Sequence, residues 1–314
     1  MKVVFMGTPE FSVPFLERLY YSGYDIQGVV TQPDRKKGRG KKLQPPPVKE
    51  KALDFNLLVE QPSCSEDLLS LQSLKEIPDL IVTAAYGMFL PQWLLDYPVY
   101  NAINVHASLL PEYRGAAPIQ RAIMDGKEYT GVTIMQMSVK MDAGDILNWE
   151  RIEITHKDTG GGVYSKILQT GPNLLIDTIE KLRRGEITPV PQDENKASYA
   201  PKLDKRDEQL NFHKLTAEQV YNRVRALNPW PGAFAYWDTC RLKIWQVKVI
   251  DQTEQLELPE GEPGEIVNLA CDGPIIKCQK GWVILTEVQP SGKCVMTGEE
   301  FLCGYILEKG NCLE

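Results

Sequence analysis

After Lys2 the chain opens on a continuous apolar run ended by glycine, Val3-Val4-Phe5-Met6-Gly7, and Lys2 to Gly7 reads as a strand buried on both faces of a parallel sheet. Helical spacing follows at Phe11, Phe15, Leu16 and Leu19, Gly23 stops it, and Ile26 to Thr31 forms a second apolar run. This is one strand, helix, strand unit. Further strands are predicted over Leu57 to Val59, Leu80 to Ala84, Ala102 to His106 and Val132 to Met137, with segments between them long enough for crossover helices. The alternation predicts an α/β domain with a doubly wound, mostly parallel, Rossmann-like sheet, which binds ligands beyond the carboxyl ends of its strands.

The texture changes after Leu182. Residues Arg183 to Asp207 are polar, carry Pro189, Pro191 and Pro201, and read as a linker tied along the surface. Leu215 to Leu227 then has helical periodicity. Beyond Phe234, short strands alternate with Gly and Pro turns: Leu242 to Val249, Gly264 to Val267, Ile275 to Cys278 and Gly281 to Val288. That spacing predicts a smaller C-terminal β-barrel of the oligonucleotide-binding (OB) type. The expected organisation is a first domain over 1–184, a linker over 185–207 and the barrel over 208–314.

Composition fits two globular domains, with 314 residues, 43% hydrophobic and 25% charged. No apolar stretch approaches a membrane span of roughly 18 residues, so a soluble, cytoplasmic monomer without membrane contact is expected. Seven cysteines without a C-x-x-C pair and only three histidines make a metal site unexpected, and free thiols in a reducing cytosol are the simple reading.

Charge adds one feature. Between Asp34 and Lys51, eight basic residues (Arg35, Lys36, Lys37, Arg39, Lys41, Lys42, Lys49, Lys51) meet two acidic ones, giving +6 within a chain whose net charge is −7, so the remainder carries −13. A cationic segment on an acidic body selects where a polyanion docks; a solvated surface loop is the alternative.

The first strand lacks the G-x-G-x-x-G of a dinucleotide site, and neither a Walker A sequence nor a G-x-S-x-G elbow is present. The informative stretch runs from Asn104 to Gly115. Asn104 and His106, two apart at a strand end, place an amide and an imidazole on one face; a structural His beside a turn-forming Asn is the plainer alternative. Asp142, in Met141-Asp142-Ala143-Gly144-Asp145, follows the next strand and is expected on the same sheet edge as His106. Alone it reads as a turn residue. Together the three suit acyl transfer: a donor for an oxyanion, a proton shuttle, and a carboxylate that orients it.

The run Asn104 to Pro111 with Arg114-Gly115 resembles the signature of the folate-dependent formyltransferases, and the resemblance covers nearly the whole chain. It implies the formyltransferase fold, catalytic roles for Asn104, His106 and Asp142, and folate contacts from Ser108, Leu109, Leu110 and Pro111. A pteridine pocket lined by Tyr86, Gly87, Met88, Phe89 and Leu90 is implied as well. Thr31-Gln32-Pro33-Asp34 with Gly38 to Leu43, Gly115 to Arg121, Gly131 to Met137 and Asn228-Pro229-Trp230-Pro231 resemble the branch of the family that acts on tRNA. That branch moves the formyl group of 10-formyltetrahydrofolate to the α-amino group of methionine on initiator tRNA, for translation initiation. The match implies tRNA contacts by Arg35, Lys36, Lys37, Arg39, Lys41 and Lys42, and by the C-terminal barrel. Branches acting on nucleotide-linked amino sugars or formylfolate share the core, but a small substrate gives little reason for a +6 segment.

Overall fold

Up to residue 153 the strands are, in chain order, β1 (Lys2–Gly7), β2 (Asp25–Val30), β3 (Arg35–Lys37), β4 (Lys42–Gln44), β5 (Val59–Glu60), β6 (Leu80–Ala84), β7 (Ala102–His106), β8 (Arg114–Gly115), β9 (Tyr129–Gln136) and β10 (Ile146–Glu153). Seven of them form one sheet in the order β10-β9-β7-β6-β1-β2-β5. From β5 across to β7 the neighbours are parallel, and β9 runs antiparallel to β7. Every residue of β6 is buried, and all but the first of β1, as strands covered on both faces require. The strand order reverses between β1 and β6. Ligands in such sheets bind at that switch point.

The computed structural model describes residues 1–38, 40–64, 67–68, 76–250 and 260–314. Its chain divides into two units, one of Met1–Gly115, Thr130–Ile152 and Ser165–Tyr199, the other of Ala116–Tyr129, Glu153–Tyr164 and Ala200–Glu314. No helix among the described residues is long and apolar enough to cross a membrane. The helices are α1 (Val13–Tyr21), α2 (Pro47–Asp54), α3 (Gln92–Leu95), α4 (Pro118–Met124), α5 (Gly160–Arg183), α6 (Lys205–Glu208), α7 (Ala217–Ala226) and α8 (Gly298–Gly304).

Several expectations need correction. The crossover from β6 to β7 holds only the four-residue α3, because Gly87 and the prolines at 91 and 98 break the pattern. The strand expected at Leu57 to Val59 is the two-residue β5. The hairpin of β3 and β4 was hidden, since two three-residue strands with Leu43 as their one apolar residue show no alternation. β10 and α5 also went unforeseen.

In the second unit, after the two-residue β11 (Tyr199–Ala200) at the division, come β12 (Ala233–Trp237), β13 (Cys240–Val249), β14 (Ile266–Ala270), β15 (Gly273–Lys277), β16 (Trp282–Pro290) and β17 (Met296–Thr297). They pair antiparallel in the order β12-β13-β16-β15-β14, with β17 on β16. The last residues join the two edges. Tyr236 and Glu314 exchange backbone hydrogen bonds of 2.6 and 2.8 Å beside β12, while Leu313 N donates to Gly264 O and Ile266 N to Asn311 O, each at 2.8 Å, beside β14. Closure satisfies the edge groups and makes the sheet a small barrel. Its core is apolar: Leu242, Ile244, Val283, Leu285 and Val288 pack with Val220 and Val224 of α7 and with Phe301 of α8. Burial pushes the Cys278 thiol in this core up to about 12, which leaves it inert, and none of the seven cysteines is in a disulfide.

Gly131 in β9 couples the sheet to the loop after β7. A methyl group there would stand 2.3 Å from Glu150 O and 2.4 Å from a Leu109 side-chain carbon, whereas one on Gly28 of β2 would meet nothing within 4 Å. Gly131→Ala is therefore expected to cost about 1–3 kcal/mol through overpacking. Gly28→Ala should be neutral or gain up to about 1 kcal/mol from reduced backbone entropy. Thermal melting of the two variants beside the wild type checks this; equal midpoints would contradict it.

Candidate active site

Asn104 and His106 project from the same face of β7, two residues apart. Thr83 of β6, paired with Asn104 in the sheet, donates its hydroxyl to Asn104 Oδ1 at 2.7 Å. Ile103 O and Met137 Sδ lie farther from that hydroxyl, both at 3.2 Å. With its oxygen engaged, the amide has its NH2 group left to donate. His106 is buried, and its Nε2 lies 2.9 Å from Tyr113 O. A carbonyl only accepts, so Nε2 carries the proton and Nδ1 is the nitrogen left for chemistry. Nδ1 stands 3.7 Å from Asp142 Oδ2. That separation is too long for a direct hydrogen bond, and the carboxylate can accept one there only from an Nδ1 that has taken up a proton.

The route by which Asp142 arrives differs from the sequence expectation. β9 runs antiparallel, so Gln136 at its end lies beside Ile103, near the start of β7 and not beside His106. The loop after β9 leaves at the opposite sheet edge and has to double back roughly 10 Å, three residues of strand rise. Asp142 takes a left-handed backbone conformation (φ +49°) in doing so. Its Oδ2 accepts the Gly115 N–H at 2.8 Å, and Gln192 Nε2 donates to Asp142 O at 2.9 Å and Gly144 O at 2.7 Å.

The loop from Ser108 to Pro111 is shaped by its own polar groups. Thr133 of β9 donates to Ser108 O at 2.7 Å and accepts from Leu110 N at 3.2 Å. Ser108 is fully buried and its hydroxyl donates to Glu112 O at 2.6 Å, so it holds the turn. Leu110 is buried as well, and Leu109 and Pro111 are half-buried. In the loop after β6, Tyr86 and Leu90 face the core, Met88 is half-buried, and Gly87 and Phe89 are exposed. Burial pushes the Tyr86 phenol up to about 12. Ala85 and Gly87 are left-handed, and Thr8 and Ser12 tie the loop to the region after β1 by donating to Tyr86 O and Ala84 O. An exposed ring beside main-chain groups at the switch point suits a flat, amide-bearing ligand such as a pterin.

Sequence reasoning missed Thr83, Thr133, Arg114 and Gln192 as supports. Thr83 had a signal, a hydroxyl inside an otherwise apolar strand, and Arg114 stood in the quoted signature. Gln192 had none. Arg114 is almost fully buried, donates from Nε and Nη2 to Gln192 Oε1 at 3.0 and 2.8 Å, and makes a two-point contact with Glu194 at 3.1 and 3.0 Å. Hydrogen bonding to Glu194 raises the Arg114 pKa, and Arg114 lowers that of Glu194. Residues 190–198 thus run along the first unit: Val190 bridges Ile146, and Ser198 O accepts from Arg114 N.

The basic segment separates into two parts. Arg35, Lys36, Lys41 and Lys42 are exposed on the β3–β4 hairpin, which also carries Lys37; Arg39 lies outside the described residues. Lys49 is bound to Asp34 at 2.9 Å and to Gln61 at 2.6 Å, and Lys51 to Glu17 at 3.0 Å. The hydrogen bond from Lys49, with that from Gln61, lowers the Asp34 pKa. Arg35, Lys36, Lys41 and Lys42 of the hairpin therefore stay exposed, while the two lysines of α2 are paired with carboxylates.

Two family models match, Formyl transferase over residues 1–179 and Formyl transferase, C-terminal domain over residues 202–306. The methionyl-tRNA formyltransferase of Natranaerobius thermophilus is 56% identical over 315 residues, covering 100% of each chain. That of Bacillus subtilis is 46% identical over 316 residues, covering 99% of this chain and 97% of the relative. Among solved structures, WlaRD, a sugar 3N-formyl transferase studied with dTdp and 5-N-formyl-THF, aligns with a TM-score of 0.64 at 18% identity over 94% of this chain and 99% of that one. HypX from Aquifex aeolicus in complex with tetrahydrofolic acid aligns with a TM-score of 0.60 at 19% identity over 100% of this chain and 50% of that one, so the chain spans about half the HypX length. At such identities these two structures speak to the fold alone. By the family models and the full-length relatives, the chain belongs to the formyl transferase family.

Proposed function

We propose that this protein transfers the formyl group of 10-formyltetrahydrofolate to the α-amino group of methionine on initiator tRNA, in the cytoplasm. The observation that carries the reading is the meeting of Asn104, His106 and Asp142 at one side of the sheet, in a chain whose full-length relatives are methionyl-tRNA formyltransferases. Folate is the formyl donor used by this family. The loops 86–90 and 108–111 are the segments that would hold it.

The amine needs no strong base, because a free α-amino group has a pKa near about 7.7–8.0 and a useful fraction is neutral at cytoplasmic pH. Its nitrogen attacks the formyl carbon, the bond from that carbon to the folate nitrogen breaks, and the proton lost by the amine goes to the leaving nitrogen. The Asn104 NH2 donates to the formyl oxygen as it gains charge. His106, its tautomer set by Tyr113 O, passes the proton through Nδ1, and Asp142 orients that ring edge and stabilises its charged form. Arg35, Lys36, Lys37, Arg39, Lys41 and Lys42 contact tRNA phosphates, with the C-terminal barrel as a second tRNA surface.

Two experiments test this reading. His106→Ala should lower kcat for charged initiator tRNA by about 100-fold or more, as should Asn104→Ala, with tRNA affinity near wild type. Free methionine should be a poor acceptor. Full turnover by either variant would remove that residue from the mechanism. The second reads tRNA affinity against salt. Replacing Lys36, Lys41 and Lys42 by Ala should flatten the slope of log K on log salt by roughly 2–3 units, at about 0.7–0.9 per phosphate contact. Lys51→Ala, which removes a cation already paired with Glu17, should leave the slope unchanged. The same slope in the wild type and the triple variant would mean that the hairpin is only solvated surface.

A further inference from the structure

Asp142 is the one member of the site that its own strand does not deliver. Its loop needs an outside support, and the only side chain whose donors hold main-chain carbonyls of residues 142–144 in the hydrogen bonds described above is Gln192. We propose that Gln192, locked by the buried Arg114, is a positioning residue that holds Asp142 against His106; the proposal rests on the reading of Asp142 given under Proposed function.

The chemistry of the amide makes the case. Gln192 uses both N–H bonds on Asp142 O and Gly144 O, and both lone pairs of Oε1 on Arg114 Nε and Nη2. All four hydrogen-bonding positions are filled, so the amide has one orientation. Arg114 cannot yield, because its side chain is 2% exposed and Glu194 grips the other edge of the guanidinium. The loop cannot yield either. Gly144 lies so close to β9 that a Cβ there would stand 1.9 Å from Gln136 O. Between these fixed bodies Asp142, in a left-handed conformation that non-glycine residues adopt at a cost, has its carbonyl held by Gln192 and its carboxylate by Gly115 N. Only an amide fits this place. A carboxylate at 192 would still satisfy Arg114 but would set an acceptor against two carbonyl oxygens.

A support that serves only stability would affect the enzyme whether or not Asp142 carried a carboxylate. A support that positions Asp142 would matter only while that carboxylate is present. Gln192 is half-buried and its truncation leaves Arg114 paired with Glu194, so its variants should fold. The experiment is a double-mutant cycle of Gln192→Ala with Asp142→Ala, read as single-turnover formyl transfer and as KM for folate and for tRNA, with Gln192→Glu alongside. Expected are a fall of about 10- to 100-fold in rate for Gln192→Ala and for Gln192→Glu, with both KM values within about threefold of wild type. In the Asp142→Ala background, Gln192→Ala should change the rate by less than about twofold. An equal loss in both backgrounds, or none in the wild-type background, overturns the positioning role while leaving Asp142 catalytic. A wild-type rate for Asp142→Ala itself overturns the reading of Asp142, and the proposal with it.

Discussion

The direction of a single strand sets the main problem of this active site. In a parallel sheet every following loop emerges on the side where ligands bind, so β1, β6 and β7 bring Thr8, Tyr86 and His106 to one edge without further help. β9 runs the other way. Its loop therefore starts at the far edge, and the 3.7 Å approach of Asp142 to His106 exists only because the chain is drawn back across the sheet.

The parts that draw it back share one physical logic, the satisfaction of buried polar groups. A guanidinium removed from water is costly unless its donors are paired, and burying Arg114 beside the loop creates a demand that Gln192 and Glu194 meet. Gln192 then has two donors that must be used, and the carbonyls of Asp142 and Gly144 are within reach. The same rule shapes the other two site members. Thr83 fixes the Asn104 amide, and Tyr113 O fixes the His106 tautomer, so each of these two proposed catalytic groups is oriented by a neutral partner. Preorganisation of this kind is what lets a weakly basic set of side chains stabilise an oxyanion in an acyl transfer.

Much of this was legible in the sequence because it is periodic. The apolar run at Val3 to Met6 and that at Leu80 to Ala84, broken only by Thr83, announced central strands, and the spacing of two between Asn104 and His106 announced a shared face. What has no period was not legible. Strand direction leaves no local mark, so the return of the Asp142 loop was invisible, and Gln192 lay in a polar stretch indistinguishable from linker. The closure of the barrel by residues 310–314 was hidden likewise, since a short segment pairing with two distant edges needs no alternation of its own. The basic run was plain as charge, but not which of its cations were spent. Only the fold shows Lys49 on Asp34 and Lys51 on Glu17.

The account stands on the charge of Asp142 acting at His106, and Asp142→Asn isolates that charge, because an amide oxygen in place of Oδ2 still accepts from Gly115 N. The measurement is the single-turnover rate of formyl transfer to charged initiator tRNA by this variant, with folate and tRNA saturating. A fall of about 100-fold or more with unchanged binding is the predicted result. A rate near that of the wild type would contradict the account, for the loop would then be drawn across the sheet to no chemical end.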